Sequence, residues 1–177
     1  MTLTLAQLDA MPDTEAAFKL AACCGSSKWV AAMVARRPYR TRDELLLVGD
    51  DVARALGPED WLEAFAYHPR IGERKSAATA SSVAAAWSSS EQSASSTASI
   101  ATREALALAN VEYEQRFGYI FIICANGRSA GEILAELRKR IGNETDDELA
   151  IAAAEQQQIT RDRLEKLIPE GENGGRP

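Results

Sequence analysis

Residues 41–66 read TRDELLLVGDDVARALGPEDWLEAFA, and this stretch decides the fold class. Thr41 followed three positions later by Glu44 is a capping box, a pair whose side chains satisfy backbone N–H groups reciprocally at a helix start. Leu45, Val48, Val52 and Leu56 then recur at three- and four-residue spacing, the period that puts side chains on one helix face. Gly57 predicts the stop. Pro58, whose φ is already set for a first helical turn, predicts a second helix with Trp61 and Phe65 on its inner face.

The same grammar extends in both directions. Upstream, Thr4 and Gln7 can cap a short helix reciprocally, and a second helix is expected from about Thr14 to Gly25. Ser27 reads as the cap of a third, with Trp29, Ala32 and Met33 on one face and Pro38 forcing an end at about Arg37. Downstream, positions 76–99 are almost all Ala, Ser or Thr, the composition of a linker. Val83, Trp87 and the box Ser88 to Glu91 mark it instead as the start of an ordered helix. That helix is expected to run through Ala101, Ala105, Leu108, Glu112 and Tyr113 and to end at Gly118. Tyr119 to Ala125 reads YIFIICA, a strand or an extended buried segment, which periodicity cannot separate. Asn126-Gly127 predicts a turn, Ser129 to Glu132 caps another helix, and Thr145 to Glu148 caps a last one reaching about Ile168. The expectation is one all-α domain over 1–168, a bundle of roughly seven or eight helices with one short extended buried segment. A disordered polar tail over 169–177 follows it.

Composition narrows function. The 177 residues carry 20 Lys+Arg against 26 Asp+Glu, a net charge of -6, so no basic stripe is available for a phosphate backbone and nucleic acid is not an expected partner. No apolar run approaches the roughly 20 residues that span a bilayer, and the first ten residues do not read as a signal peptide. A protein kept in the cytoplasm, with no membrane partner, is expected. Three cysteines, two of them the neighbours Cys23 and Cys24, do not make a disulfide framework. One histidine and no Cys-x-x-Cys do not make a metal site.

The candidates for chemistry are few. His68 is the one side chain type with an unperturbed pKa near neutrality, about 6.5, and Pro69 biases it out of the helical region to a helix-to-loop junction. It reads as an acid–base group or as a plain helix-ending residue. Glu91 is the third residue after a Ser cap, which a capping box needs for itself, yet with Ser88 and Gln92 it stands where a helix N-terminus attracts an anion. Arg163 falls on the apolar stripe Ile159, Arg163, Leu167, as a snorkelling side chain or as a buried carboxylate-binding guanidinium. Cys23 and Cys24 read as small core filler.

Three motifs stand in order along the chain: Tyr67-His68-Pro69-Arg70-Ile71-Gly72, Trp87-Ser88-Ser89-Ser90-Glu91-Gln92, and Asn110-Val111-Glu112-Tyr113-Glu114-Gln115-Arg116-Phe117-Gly118. Together with Trp29-Val30-Ala31, Arg37-Pro38-Tyr39, Phe121 to Ala125 and Ile159 to Leu164, they resemble the 2-oxo-4-hydroxy-4-carboxy-5-ureidoimidazoline (OHCU) decarboxylase family over almost the whole chain. The resemblance implies an all-α, cofactor-free carboxy-lyase, usually a homodimer, acting at the last step from urate to (S)-allantoin. It implies that His68 and Glu91 are catalytic. It further implies that Pro69, Ser88, Gln92, the backbone of Phe121, Ile122, Ile123, Cys124 and Ala125, and Arg163 line the pocket for a small anionic ureidoimidazoline. Two features depart from the family pattern: the Ser/Ala-richness of 76–99, and Cys24-Gly25 where an acidic residue is common. The readings from other classes are a non-enzymatic all-α interaction module and a different cofactor-free ureide lyase or hydrolase.

Overall fold

A computed structural model describes residues 2–71, 87 and 99–170. Eight helices are delimited among them: α1 (Leu5–Ala10), α2 (Asp13–Ala21), α3 (Ser27–Ala35), α4 (Arg42–Arg54), α5 (Pro58–Ala66), α6 (Ile100–Phe117), α7 (Ala130–Arg140) and α8 (Thr145–Leu167). Among the described residues there is no strand, so the all-α reading holds. The Ser88–Glu91 helix start and the tail 171–177 lie outside the described residues. Trp87 is helical and half-buried.

Local sequence explains most of the helix ends. Thr4 Oγ1 accepts the Gln7 N–H at 3.1 Å while Gln7 Oε1 accepts the Thr4 N–H at 2.9 Å, the expected reciprocal cap. Ser129 and Glu132 repeat the device at α7. Thr41 caps α4 at the Glu44 N–H, 3.0 Å away, but the other half of the box differs: the Glu44 carboxylate reaches past Thr41 to the Arg40 N–H at 2.6 Å. α2 stops at Ala21, four residues short of Gly25. Two expected caps are corrected. Ser26, not Ser27, caps α3 by accepting the Trp29 N–H, because Ser27 gives its own N–H and hydroxyl to Glu63, 2.9 Å away in each case. Thr145 is already helical, and the Glu148 side chain turns into the protein instead of back to the helix start.

The described chain divides into two compact units, Met1–Ala64 with Gln157–Pro177, and Phe65–Gln156. In the first, Leu8, Leu20, Trp29, Met33, Leu45 and Leu164 are buried to 1% exposure or less. Complete burial of such a side chain contributes about 1.5–3 kcal/mol. The buried face of α4 is Leu45, Leu46, Gly49, Val52 and Ala53, with Val48 and Leu56 only half-buried. Gly49 sets that rotation: a Cβ there would lie 2.9 Å from Leu164 Cδ1 and 3.7 Å from Trp29 Cζ2, and the Gly49 carbonyl accepts the Trp29 indole N–H at 3.1 Å. Arg37 closes the end of α1 by donating to the carbonyls of Leu8 at 2.6 Å and Met11 at 2.8 Å.

The second unit is built round α6. Leu106, Ala109, Tyr113 and Phe117 of α6 share one buried cluster with Ile71, with Phe121, Ile123 and Ala125, and with Ala130, Ile133 and Leu137. α6 ends as expected at Gly118, in the left-handed region at φ 78°. The run 121–125 is neither helix nor strand, and all five of its residues are buried. The turn at Asn126-Gly127 is closed by the Arg128 N–H on the Ala125 carbonyl at 3.1 Å.

Candidate active site

Pro69 ends α5 just ahead of it, and the chain leaves that helix through a turn in which the His68 N–H donates to the Phe65 carbonyl at 3.0 Å. His68, Pro69 and Arg70 are half-buried, and Ile71 is buried. Two bonds from α6 fix this junction. Arg70 grips Glu114 through both arms, Nε to Oε2 at 2.9 Å and Nη2 to Oε1 at 2.8 Å, a bidentate geometry that sets orientation as well as distance. Asn110, itself buried, donates from Nδ2 to the Ile71 carbonyl at 3.0 Å. The motif Asn110 to Gly118 is therefore largely a fastening for the loop that carries the histidine.

The 121–125 run is held by its backbone. The Ile122 carbonyl accepts from Arg140 Nη1 at 2.9 Å, and the Cys124 N–H donates to Glu155 Oε2 at 2.7 Å. Arg140 is 1% exposed and lies 4.5 Å above the Phe121 ring. Its Nε and Nη2 donate to Glu148 Oε1 at 2.8 and 2.6 Å, the Tyr113 hydroxyl donates to the same oxygen, and Asn143 Nδ2 donates to Glu148 Oε2 at 2.7 Å. A fully buried carboxylate is tolerable only with such a complement of donors. Burial and the neighbouring Glu148 push the Tyr113 phenol well above its ordinary range, so it stays a donor. Neither Arg140 nor Glu155 was marked as a site residue by the sequence; the charge type was visible, but not its inward direction.

Within this unit the His68 junction and the 121–125 run are brought onto one core, since Ile71, Phe121, Ile123 and Ala125 belong to the same buried cluster. Ser88, Glu91 and Gln92 lie outside the described residues. Arg163 belongs to the other unit, where it is 4% exposed and donates from Nη1 to the Ala22 carbonyl at 3.3 Å. Beside it, burial pushes the Cys24 thiol up to about 11 against hydrogen bonds from the Ser26 amide and the Thr160 side chain and the charge of Arg163. Cys24 is thus a protonated core residue at neutral pH, and among the described residues no cysteine is in a disulfide. Among the described residues no three His, Cys, Asp or Glu side chains converge as a metal site would require.

The profile of the OHCU decarboxylase family matches residues 9–165. The chain belongs to the OHCU decarboxylase family. Among this OHCU decarboxylase family member's relatives, the uric acid degradation bifunctional protein TTL of Arabidopsis thaliana is 39% identical over 146 residues, covering 82% of this chain. The chain spans 45% of the length of that relative. The 2-oxo-4-hydroxy-4-carboxy-5-ureidoimidazoline decarboxylase of Haloferax volcanii is 27% identical over 163 residues, 92% of this chain and 94% of that one. A solved structure of OHCU decarboxylase in the presence of (S)-allantoin superposes with a TM-score of 0.75 at 37% identity, covering 86% of this chain and 99% of that chain.

Proposed function

We propose that the chain is a carboxy-lyase that converts OHCU to (S)-allantoin in urate catabolism, without a metal or organic cofactor, using His68 and Glu91 as its catalytic residues. The observation that carries this reading is the likeness, over 99% of its length, to an OHCU decarboxylase solved in the presence of (S)-allantoin. The chemistry suits the residues. The substrate bears its carboxylate and a hydroxyl on one ring carbon, beside the ureido-bearing carbon. When the bond to the carboxylate breaks, the electron pair moves into the ring and CO2 leaves. A proton is then added at the ureido-bearing carbon, and the hydroxyl carbon becomes a carbonyl. The ring itself takes up the electrons. The protein has to fix the carboxylate out of the ring plane, stabilise the developing charge and deliver one proton to one face. His68 is assigned the proton transfer, and Glu91 the orientation of His68 or of the substrate hydroxyl. Pro69, Ser88, Gln92, the backbone of 121–125 and Arg163 are assigned to binding.

The protein is read as a cytoplasmic homodimer. Buried cysteines outside any disulfide suit a reducing compartment, and no helix among the described residues is long and apolar enough to cross a membrane. Ile100, Leu108 and Val111, 68%, 74% and 53% exposed, fall within about 80° of one another round α6, an apolar row of the kind that interfaces cover.

The catalytic pair is tested by His68→Asn, which keeps a polar side chain without the titrating proton, and Glu91→Gln, which can still cap a backbone N–H. Each lowers kcat about a hundredfold or more with little change in melting temperature, and the double variant is little worse than the poorer single. Parent turnover in Glu91→Gln would reduce Glu91 to a capping residue.

A further inference from the structure

We propose that Glu155 is a positioning residue for substrate binding: with Arg140 it clamps the backbone of the 121–125 run so that the Ile123 peptide groups face the substrate. This rests on the reading above that the run lines the pocket. Both clamped bonds are to backbone atoms, the Ile122 carbonyl to Arg140 Nη1 and the Cys124 N–H to Glu155 Oε2. A trans peptide holds its C=O and its N–H antiparallel in one plane, and the cis bond of the described chain is elsewhere, at Arg37-Pro38. The Ile122 carbonyl turned to Arg140 therefore points the Ile123 N–H the other way. The Cys124 N–H turned to Glu155 does the same to the Ile123 carbonyl. Among the described residues no hydrogen bond closes either Ile123 group. One residue thus offers a donor and an acceptor side by side, away from the two clamping side chains. An adjacent N–H and C=O is what the edge of a cyclic ureide presents in return.

The clamp is stiff on both arms. Arg140 is itself locked by Glu148, which also binds Tyr113 and Asn143, so its reach to the Ile122 carbonyl is not adjustable. Glu155 is 19% exposed and spans the run and the turn after it, binding the Cys124 N–H with Oε2 and Arg128 Nη2 with Oε1 at 3.3 Å. Glu155 is the arm to test, because substitution of Arg140 would leave Glu148 buried without its cation.

Three variants, Glu155→Ala, Glu155→Asp and Glu155→Gln, are compared with the parent by calorimetric titration of (S)-allantoin, steady-state decarboxylation of OHCU and hydrogen exchange at the Cys124 amide. Ala lacks the acceptor and Asp is one methylene too short, so both speed Cys124 exchange and raise the (S)-allantoin Kd and the KM about tenfold, with kcat within about threefold. Gln keeps an oxygen in place and stays within about threefold of the parent in every binding measure. Asp retains the charge and carries the test should Ala not fold. Faster exchange with an unchanged Kd and KM overturns the positioning role, and unchanged exchange overturns the clamp. A parent that neither binds (S)-allantoin nor acts on OHCU overturns the site reading itself, and shows this before any substitution is made.

Discussion

Arg163 is 4% exposed and donates from Nη1 to the Ala22 carbonyl at 3.3 Å. A guanidinium kept from water interacts strongly with a carboxylate, at about 2 kcal/mol or more. Arg163→Ala accordingly raises KM for OHCU about thirtyfold, with a smaller effect on kcat. Unchanged KM with a lowered melting temperature would show the side chain to be core packing. At this scale the sequence is informative where a residue answers to its neighbours in the chain. Trp61 and Phe65 are buried as their spacing predicts, and Cys24 is the core thiol that the absence of a nearby base suggests. It is silent on partners far along the chain. The buried Arg140 reads as one of three basic residues in the last turn of α7, and only folding shows that it is turned to the Ile122 carbonyl, 18 positions away.

The helices follow the same division. Caps and stops are local, so Thr4 with Gln7, Ser129 with Glu132 and Gly118 are found where the sequence places them. The choice between Ser26 and Ser27 at α3 turns on Glu63, 36 positions from Ser27, and could not be made locally. Nor could periodicity decide the form of 121–125, where the Ile122 carbonyl and the Cys124 N–H are bound by side chains of α7 and α8 instead of by a neighbouring strand. Gly118 isolates one local contribution. Its φ is 78° and an added Cβ would meet nothing within 4 Å, so Gly118→Ala changes backbone strain and not packing. The variant loses about 1 kcal/mol in urea unfolding, and Gly118→Asn loses less. Equal stability of all three proteins would mean that the end of α6 adjusts freely.

For the whole molecule, membership of the OHCU decarboxylase family rests on 9–165, nearly the full chain, and the all-α fold agrees with it. Two of the sequence motifs that carry the resemblance have distinct physical duties among the described residues. His68-Pro69 places an imidazole at a helix end, while Asn110 and Glu114 fasten the following Arg70 and Ile71 to α6. One assay decides whether this chain, as proposed, decarboxylates OHCU without a metal or organic cofactor. Protein exhaustively treated with a chelator is mixed with freshly generated OHCU, and the loss of ultraviolet absorbance and the configuration of the product are followed together. Decay well above the uncatalysed rate and a single enantiomer, (S)-allantoin, are the expected results. Racemic allantoin at the uncatalysed rate, or activity that returns only when a metal is added, would contradict it.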